Sequence, residues 1–461
     1  MNRHTLRLLI VLAIGTWAMA AFAQMAPAHS QPEKPPTSTP SLPGPFQPAD
    51  QPEKPTPDPT NTIDWGPRWG IWRGEIDLPE GHILSFNFVI DFNRNEAKEP
   101  LWSFQLRNGP EVIQGNIEVK LPEVILTFPG TDARIVAILE GPTTGFTGEY
   151  IYTRTGDAGE PVEYRLPFRA QCSDSRRFAW LDPEWSPAEP IAPRWTLRFD
   201  TREGPAIAEL RTLPDGMNVL GTVITPTGDD GHLAGTFEKG RLRLSSFTGS
   251  TGILYDATLQ ADGTLIGTYH SLAHHAEGFT ASPDGDAALP DPFKLTAWRE
   301  DIGLSDLAFK NYDGTELNLA ELAPDGSPRL VYIMGTWCHN CADATRYLSE
   351  LHDRYASSGL TIVGLAFETP GTFEEQAENV RAYVLHRAVP FPILVAGQRD
   401  KDAATEALRA LDRVRAFPTI AFVSKQGEIL AVHQGFVGPA APEGHARLRA
   451  QFQSRIESML D

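Results

Sequence analysis

Residues 329–348 read RLVYIMGTWCHNCADATRYL, a stretch that decides the fold of the last third of the chain. RLVYIMG has the length and apolar continuity of a buried strand. From Cys341 to Ser358 the pattern turns helical, with Ala344, Tyr347, Leu348, Leu351 and Tyr355 on one face. Two cysteines, Cys338 and Cys341, stand at the junction in a C-x-x-C spacing. The question is whether they form a redox pair, half of a metal site or an inert staple.

Working outward, TIVGLAF reads as a second strand, Phe373 to Arg387 as a helix, PFPILVAG as a third strand and Ala403 to Leu411 as a short helix. PTIAFVSKQGEILAVH reads as a hairpin turning at Gln426-Gly427, and Arg447 to Leu460 as the closing helix. Strands alternating with helices over 291–461 imply a mixed sheet covered on both faces.

A C-x-x-C after a buried strand and at the first turn of a helix is the thioredoxin arrangement. Cys338 would sit where unpaired backbone N–H groups and the helix dipole favour a thiolate, lowering its pKa below the ~8.5 of a free cysteine. Cys341, one turn in, would be more buried and would resolve a mixed disulfide formed on Cys338. Zinc needs further ligands. Cys172 stands alone, and His270, His274 and His275 lie in a β segment with no reason to approach Cys338. A structural Cys338–Cys341 disulfide closes too short a loop to stabilise much.

Residues 63–290 hold short alternating segments separated by Gly, Pro, Asn and Asp, the pattern of antiparallel β structure. The region has an internal echo: Phe128, Gly130, Gly148 and Tyr150 match Phe247, Gly249, Gly267 and Tyr269 at an offset of 119 residues. Two all-β units, 63–185 and 186–290, each a barrel or sandwich of about eight strands, are expected. Their boundary falls in the proline-broken stretch DPEWSPAEPIAPRW. Trp65, Trp69, Trp72 and Trp102 read as core aromatics. Cys172 reads as a packed thiol, with a third redox thiol near Cys338 as the sharper alternative. The histidines of YHSLAHHAEGF would have to converge to hold a metal, and strand alternation separates them.

The chain opens MNRHTLRLLIVLAIGTWAMAAFAQ, with Arg3 and Arg7 before an apolar run that ends in Ala21-Phe22-Ala23. This is the pattern of a secretory signal peptide over 1–23, so an exported, periplasmic protein, soluble after cleavage, is expected. Residues 24–62 are rich in Pro, Gln, Thr and Ser, repeat QPEKP at Gln31 and Gln51, and read as a disordered tether. The net charge is −19, or about −21 without Arg3 and Arg7, which argues against nucleic acid as a partner. Three cysteines in 461 residues make no disulfide framework, so a sparse C-x-x-C in an exported chain suggests chemistry.

Residues 304–461 resemble the TlpA/ResA-like family of exported thiol-disulfide oxidoreductases of thioredoxin fold. The resemblance lies in the lead-in LAFKNYDGTELNLAEL, the GTWCxxC junction and AFPTIAFVSKQGEIL. With WRGEIDLP, GLAFE and GFVGP, the chain is similar to a TlpA-like subgroup that bears a long β-rich N-terminal extension. The resemblance implies that Pro418 is cis and faces the cysteines, that Phe417 offers its backbone to a substrate strand, and that Trp337 and Thr419 modulate the site. It implies a protein disulfide as substrate and a membrane dithiol as electron donor; no cofactor or metal is expected.

Three departures matter. His339-Asn340 stands between the cysteines where many relatives have proline. His339 would either add positive charge beside the thiolate or lie solvated. Ala344 replaces a glutamate common in relatives, and Tyr332 replaces the acidic residue that thioredoxin has six positions before the first cysteine. Glu368 is the substitute proton acceptor, with a solvated strand-end carboxylate as the alternative. Val331 and Gly335 stand where a peroxidatic site of this fold has Pro and Thr, which disfavours a peroxidase. The leading reading is a disulfide reductase. The rivals are a binding protein built on the β units, and a Cu(I)-handling dithiol helped by His339 or His433.

Overall fold

The computed structural model describes residues 66–94, 100–128, 131–140, 145–155, 161–172, 175–182, 190–324 and 326–461. The expected signal peptide and tether, with Trp65 and Gly130, lie outside the described residues.

The first β unit is a closed eight-stranded antiparallel meander. Its strands are β1 (Gly70–Asp77), β2 (Ile83–Arg94), β3 (Pro100–Asn108), β4 (Glu111–Lys120), β5 (Glu123–Thr127), β6 (Arg134–Glu140), β7 (Gly145–Thr155) and β8 (Pro161–Cys172). Alternation sends every second side chain inward, as Trp72, Gly74 and Ile76 do on β1. β1 pairs with β8 to close the barrel, Trp72 opposite Cys172. Aromatics fill the interior: Trp72 stacks on Phe146 at 4.6 Å and on Phe88 at 5.9 Å.

The second unit closes in the same way. It consists of β9 (Arg194–Phe199), β10 (Pro205–Thr212), β11 (Asn218–Thr225), the two-residue β12 (Gly228–Asp229), β13 (Leu233–Glu238), β14 (Arg241–Phe247), β15 (Gly252–Leu259), β16 (Leu265–Ser271) and β17 (His275–Pro283). β12 only extends the edge of β11, leaving eight strands in the closed ring. The internal echo falls on equivalent strands: Gly148 on β7 pairs with Ala137, and Gly267 on β16 pairs with Ala257.

The two barrels share a core at their joint. Phe247 of the second barrel packs against Phe86 (4.3 Å), Phe128 and Tyr150 of the first, and Tyr150 donates to Gly249 O. Burying that ring contributes on the order of 2–3 kcal/mol. Beside it, the buried Arg177 guanidinium donates to Ser245 Oγ and O, Arg107 O and Asn108 Oδ1.

The last third is a mixed sheet in the order β19-β18-β22-β21-β20-β23-β24. The strands are β18 (Ala308–Lys310), β19 (Glu316–Asn318), β20 (Arg329–Met334), β21 (Thr361–Glu368), β22 (Ile393–Gln398), β23 (Thr419–Val423) and β24 (Ile429–Gln434). β20, β21 and β22 run parallel, β23 runs antiparallel to β20, and β24 runs antiparallel to β23. The helices are α1 (His339–Tyr355), α2 (Phe373–Arg387), α3 (Lys401–Leu408) and α4 (Pro442–Leu460). β20 is buried at every position, which requires cover on both faces. This is a thioredoxin-like fold, and α4 begins five residues before the apolar periodicity becomes legible, on Pro442 in its first turn. No helix among the described residues is long and apolar enough to cross a membrane.

Candidate active site

β20 delivers the chain through Gly335-Thr336-Trp337 to Cys338, which is the N-cap of α1 with extended backbone angles (φ −89°, ψ 120°). Its sulfur accepts the Cys341 N–H at 3.2 Å, one of the donors that the first helical turn leaves unpaired. On its other side the Cys338 thiol donates to Phe417 O at 3.4 Å. Cys338 is 8% exposed and Cys341 wholly buried, and the two sulfurs are not bonded to each other. Burial, then the neighbouring Cys338, pushes the Cys341 thiol well above its ordinary value.

The Phe417-Pro418 peptide is cis, and it follows the turn that aims the Phe417 carbonyl at Cys338. Thr419 is buried at the start of β23 and donates its hydroxyl to Ala416 O, closing that turn from behind. Trp337 hydrogen-bonds Phe367 O, meets the Phe417 ring edge to face at 5.6 Å, and lies under the Arg399 guanidinium.

Glu368 is not a solvated carboxylate. It is 1% exposed, and Thr336 donates to it twice, from its N–H (2.9 Å) and its hydroxyl (2.5 Å). Burial raises its pKa, while the Thr336 hydrogen bonds and the Arg399 charge oppose the rise. These bonds tie the Gly335–Cys338 turn to the end of β21. Glu368 therefore positions the turn, its carboxylate held by the Thr336 N–H and hydroxyl.

The polar group beneath the helix is instead Tyr332, at the position where thioredoxin has its acid. Its wholly buried hydroxyl donates to Cys341 O at 2.7 Å and touches Thr345 Oγ1 at 3.1 Å. Thr345 in turn meets the Tyr383 hydroxyl of α2 at 2.8 Å. The sequence signal was present, since Tyr332 marks the position, but a tyrosine in a strand reads as core.

His339 and Asn340 stand at the start of α1. They face the turn between β11 and β13 of the second barrel. A Cβ at Gly228 would fall 2.1 Å from Asn340 Nδ2, and one at Gly231 would fall 2.5 Å from His339 Nε2. Both glycines have positive φ, +139° and +67°, so the turn reaches this close only because neither carries a side chain. His339 Nε2 and Asn340 Oδ1 are buried, with no hydrogen-bond partner among the described residues. Asp229 accepts from Gly231 N at 2.8 Å and from Gly438 N, and Asp343 of α1 lies beside Gly438 with its Oδ2 4.0 Å from His339 Nε2. Gln434 donates to Pro226 O across the same joint. The second barrel thus forms one wall of the C-x-x-C motif.

Residues 301–432 match the AhpC/TSA family. Similar solved structures each cover about a third of the chain. A thiol:disulfide interchange protein of the thioredoxin family from Chlorobium tepidum TLS has 20% identity and a TM-score of 0.26, over 35% of this chain and all of its own. A secreted Mycobacterium tuberculosis disulfide oxidoreductase homologous to E. coli DsbE has 15% identity and a TM-score of 0.25, over 33% of this chain and 95% of its own. No curated protein matches the chain.

The remaining candidates lie elsewhere. Cys172 belongs to the core of the first barrel, whereas Cys338 and Cys341 belong to that of the C-terminal domain. His433 is packed edge to face between Phe293 and Phe452, and burial lowers its pKa to about 4. His270 packs on His82, His274 approaches Ser271, and His275 approaches Glu277. Among the described residues no group of three or more His, Cys, Asp or Glu side chains is placed to hold a metal ion.

Proposed function

We propose that this chain is an exported thiol-disulfide oxidoreductase that reduces protein disulfides. The observation that carries the reading is Cys338 as N-cap of α1, its sulfur held between the Cys341 N–H and Phe417 O, with Cys341 buried one turn behind. The Cys338 thiolate attacks one sulfur of a client disulfide, the client S–S bond breaks, and one client thiolate leaves. Cys341 then gives up its proton and attacks the Cys338 sulfur. The mixed disulfide breaks, Cys338–Cys341 becomes the disulfide, and the second client thiolate leaves with the pair's two electrons. A membrane dithiol returns the protein to the reduced state.

The binding-protein reading is less well supported. The lumen of the second barrel leaves about 20 Å³ between residues such as Trp195, Leu197, Tyr255 and Phe279, which is room for a water molecule at most. The first barrel is packed with aromatic rings.

The test is the equilibrium reduction potential of the Cys338–Cys341 pair, with Cys341→Ser as the trapping variant. A potential below about −220 mV, with Cys341→Ser accumulating a mixed disulfide, is the expected result. A potential near or above about −150 mV would make the protein an oxidant or isomerase. No reversible couple would refute the redox reading.

A further inference from the structure

We propose that the turn 226–231 of the second barrel is part of the redox site, with Asp229 on the turn and Gln434 on β24 as positioning residues that hold the cysteine motif and the Phe417-Pro418 segment at a fixed spacing for a protein client. The inference rests on the dithiol reading above and gives the second barrel a part in it.

Two segments of chain flank the Cys338 sulfur. Its own segment continues into His339 and Asn340, and the facing one presents Phe417 O at 3.4 Å. The turn 226–231 reaches both. On one side Gly231 abuts His339 and Gly228 abuts Asn340. On the other, Gly435 lies against Thr227, where a Cβ would fall 2.9 Å from the Thr227 carbonyl carbon, and Gly435 N donates to Pro418 O at 2.8 Å. Gly435 has φ +76°, so both the close approach and the backbone call for glycine there. Successive carbonyls thus point to different ends: Phe417 O meets the reacting sulfur, and Pro418 O is tied through Gly435 to the residue that rests on the barrel turn.

Two side chains fasten the turn. Asp229, 4% exposed, accepts from Gly231 N within the turn (2.8 Å) and from Gly438 N of the C-terminal domain. Gln434, also 4% exposed, donates to Pro226 O at 3.1 Å and accepts from the Thr296 hydroxyl. Removing either side chain leaves buried donors or acceptors without partners at the joint and frees the turn to shift. A protein disulfide brings its own backbone to Cys338, and that backbone must pack beside Phe417; a small aromatic disulfide needs the sulfur alone. A displacement of about 1 Å between the two segments can cost a reaction that uses both of them up to about 10²-fold, while a reaction at the sulfur alone is spared.

The test uses the full chain, reduced beforehand, in single turnovers with insulin as the protein disulfide and a symmetrical aromatic disulfide as the small one. In each turnover Cys338–Cys341 becomes a disulfide as the probe's S–S bond is reduced to two thiols, and trapping the thiols gives a second-order rate constant. Asp229→Ala and Gln434→Met are expected to lower the insulin constant at least roughly tenfold and to change the aromatic one less than about twofold. Asp229→Asn, which loses the charge and keeps an acceptor for one N–H, should recover part of the insulin rate. A merely structural role would lower the denaturant midpoint and leave the ratio of the two constants at its wild-type value, and that outcome refutes the positioning. So does an Asp229→Asn variant as impaired as Asp229→Ala, because the effect would then be one of charge. Should Asp229→Ala fail to fold, Gln434→Met decides. A wild-type chain inert to both probes would instead overturn the dithiol reading and the positioning with it.

Discussion

Gly231 of the second barrel lies against the imidazole of His339, so close that a methyl group there would stand 2.5 Å from Nε2. The two residues between the redox cysteines are therefore walled by a different domain.

This contact predicts the behaviour of Gly231→Ala. The backbone at φ +67° costs an L-residue roughly 1–2 kcal/mol, and displacement of His339 adds to that. In the background of His339→Ala the displacement cost disappears and the backbone cost remains. Denaturant midpoints of the single and double variants should accordingly be non-additive, with the double variant less damaged than the sum.

Asp229 predicts a pH dependence of the barrel contact. Burial, opposed by the His339 charge and by the Gly438 and Gly231 N–H groups, pushes its pKa up to about 6. Asp343 adds negative charge from α1. The folded value lies above the unfolded value of 3.8, so the folded state holds a proton that the unfolded chain releases. Its contribution is complete below the unfolded value and is lost as pH rises through about 6. Asp229→Asn, measured by denaturant midpoints across this window in the His339→Ala background, should flatten that decline.

His433 predicts the opposite slope. Its pKa falls to about 4 through burial between Phe293 and Phe452, below the ordinary 6.5. Its contribution is complete above 6.5 and is lost as pH falls toward 4, by an amount of roughly 2–3 kcal/mol. Replacing His433 with Gln should lower stability at neutral pH and remove that part of the acid-induced loss.

Glu368→Ala leaves the Thr336 N–H and hydroxyl without their acceptor. A loss of roughly 1–3 kcal/mol is expected, with slower alkylation of Cys338 as the Gly335–Cys338 turn loosens. Glu368→Gln keeps an acceptor and the shape, and should recover part of both.

Arg177→Met should strike the joint between the barrels and spare the cysteines. It removes four hydrogen bonds, those to Ser245 Oγ and O, Arg107 O and Asn108 Oδ1, of which Asn108 Oδ1 keeps the Phe247 N–H, at a cost of roughly 3–5 kcal/mol. Proteolysis near the joint should speed up, while the thiol pair keeps its reduction potential.

The sequence by itself determined what depends on neighbouring residues. A period of two marks the strands of both barrels, a run of apolar residues marks β20, and the cysteines three apart at a strand-to-helix junction mark the redox pair. These features are legible because backbone geometry repeats over a few residues. Only the tertiary structure decided the rest. Phe247 enters the first barrel's core from the second, Gly438 donates to an aspartate 209 positions earlier, and Tyr332 meets Tyr383 through Thr345. His339 lies against Gly231, 108 positions earlier. The physical reason is common to all of them: each contact joins groups that local periodicity does not relate, and it exists only once closed barrels and a packed sheet have brought their surfaces together.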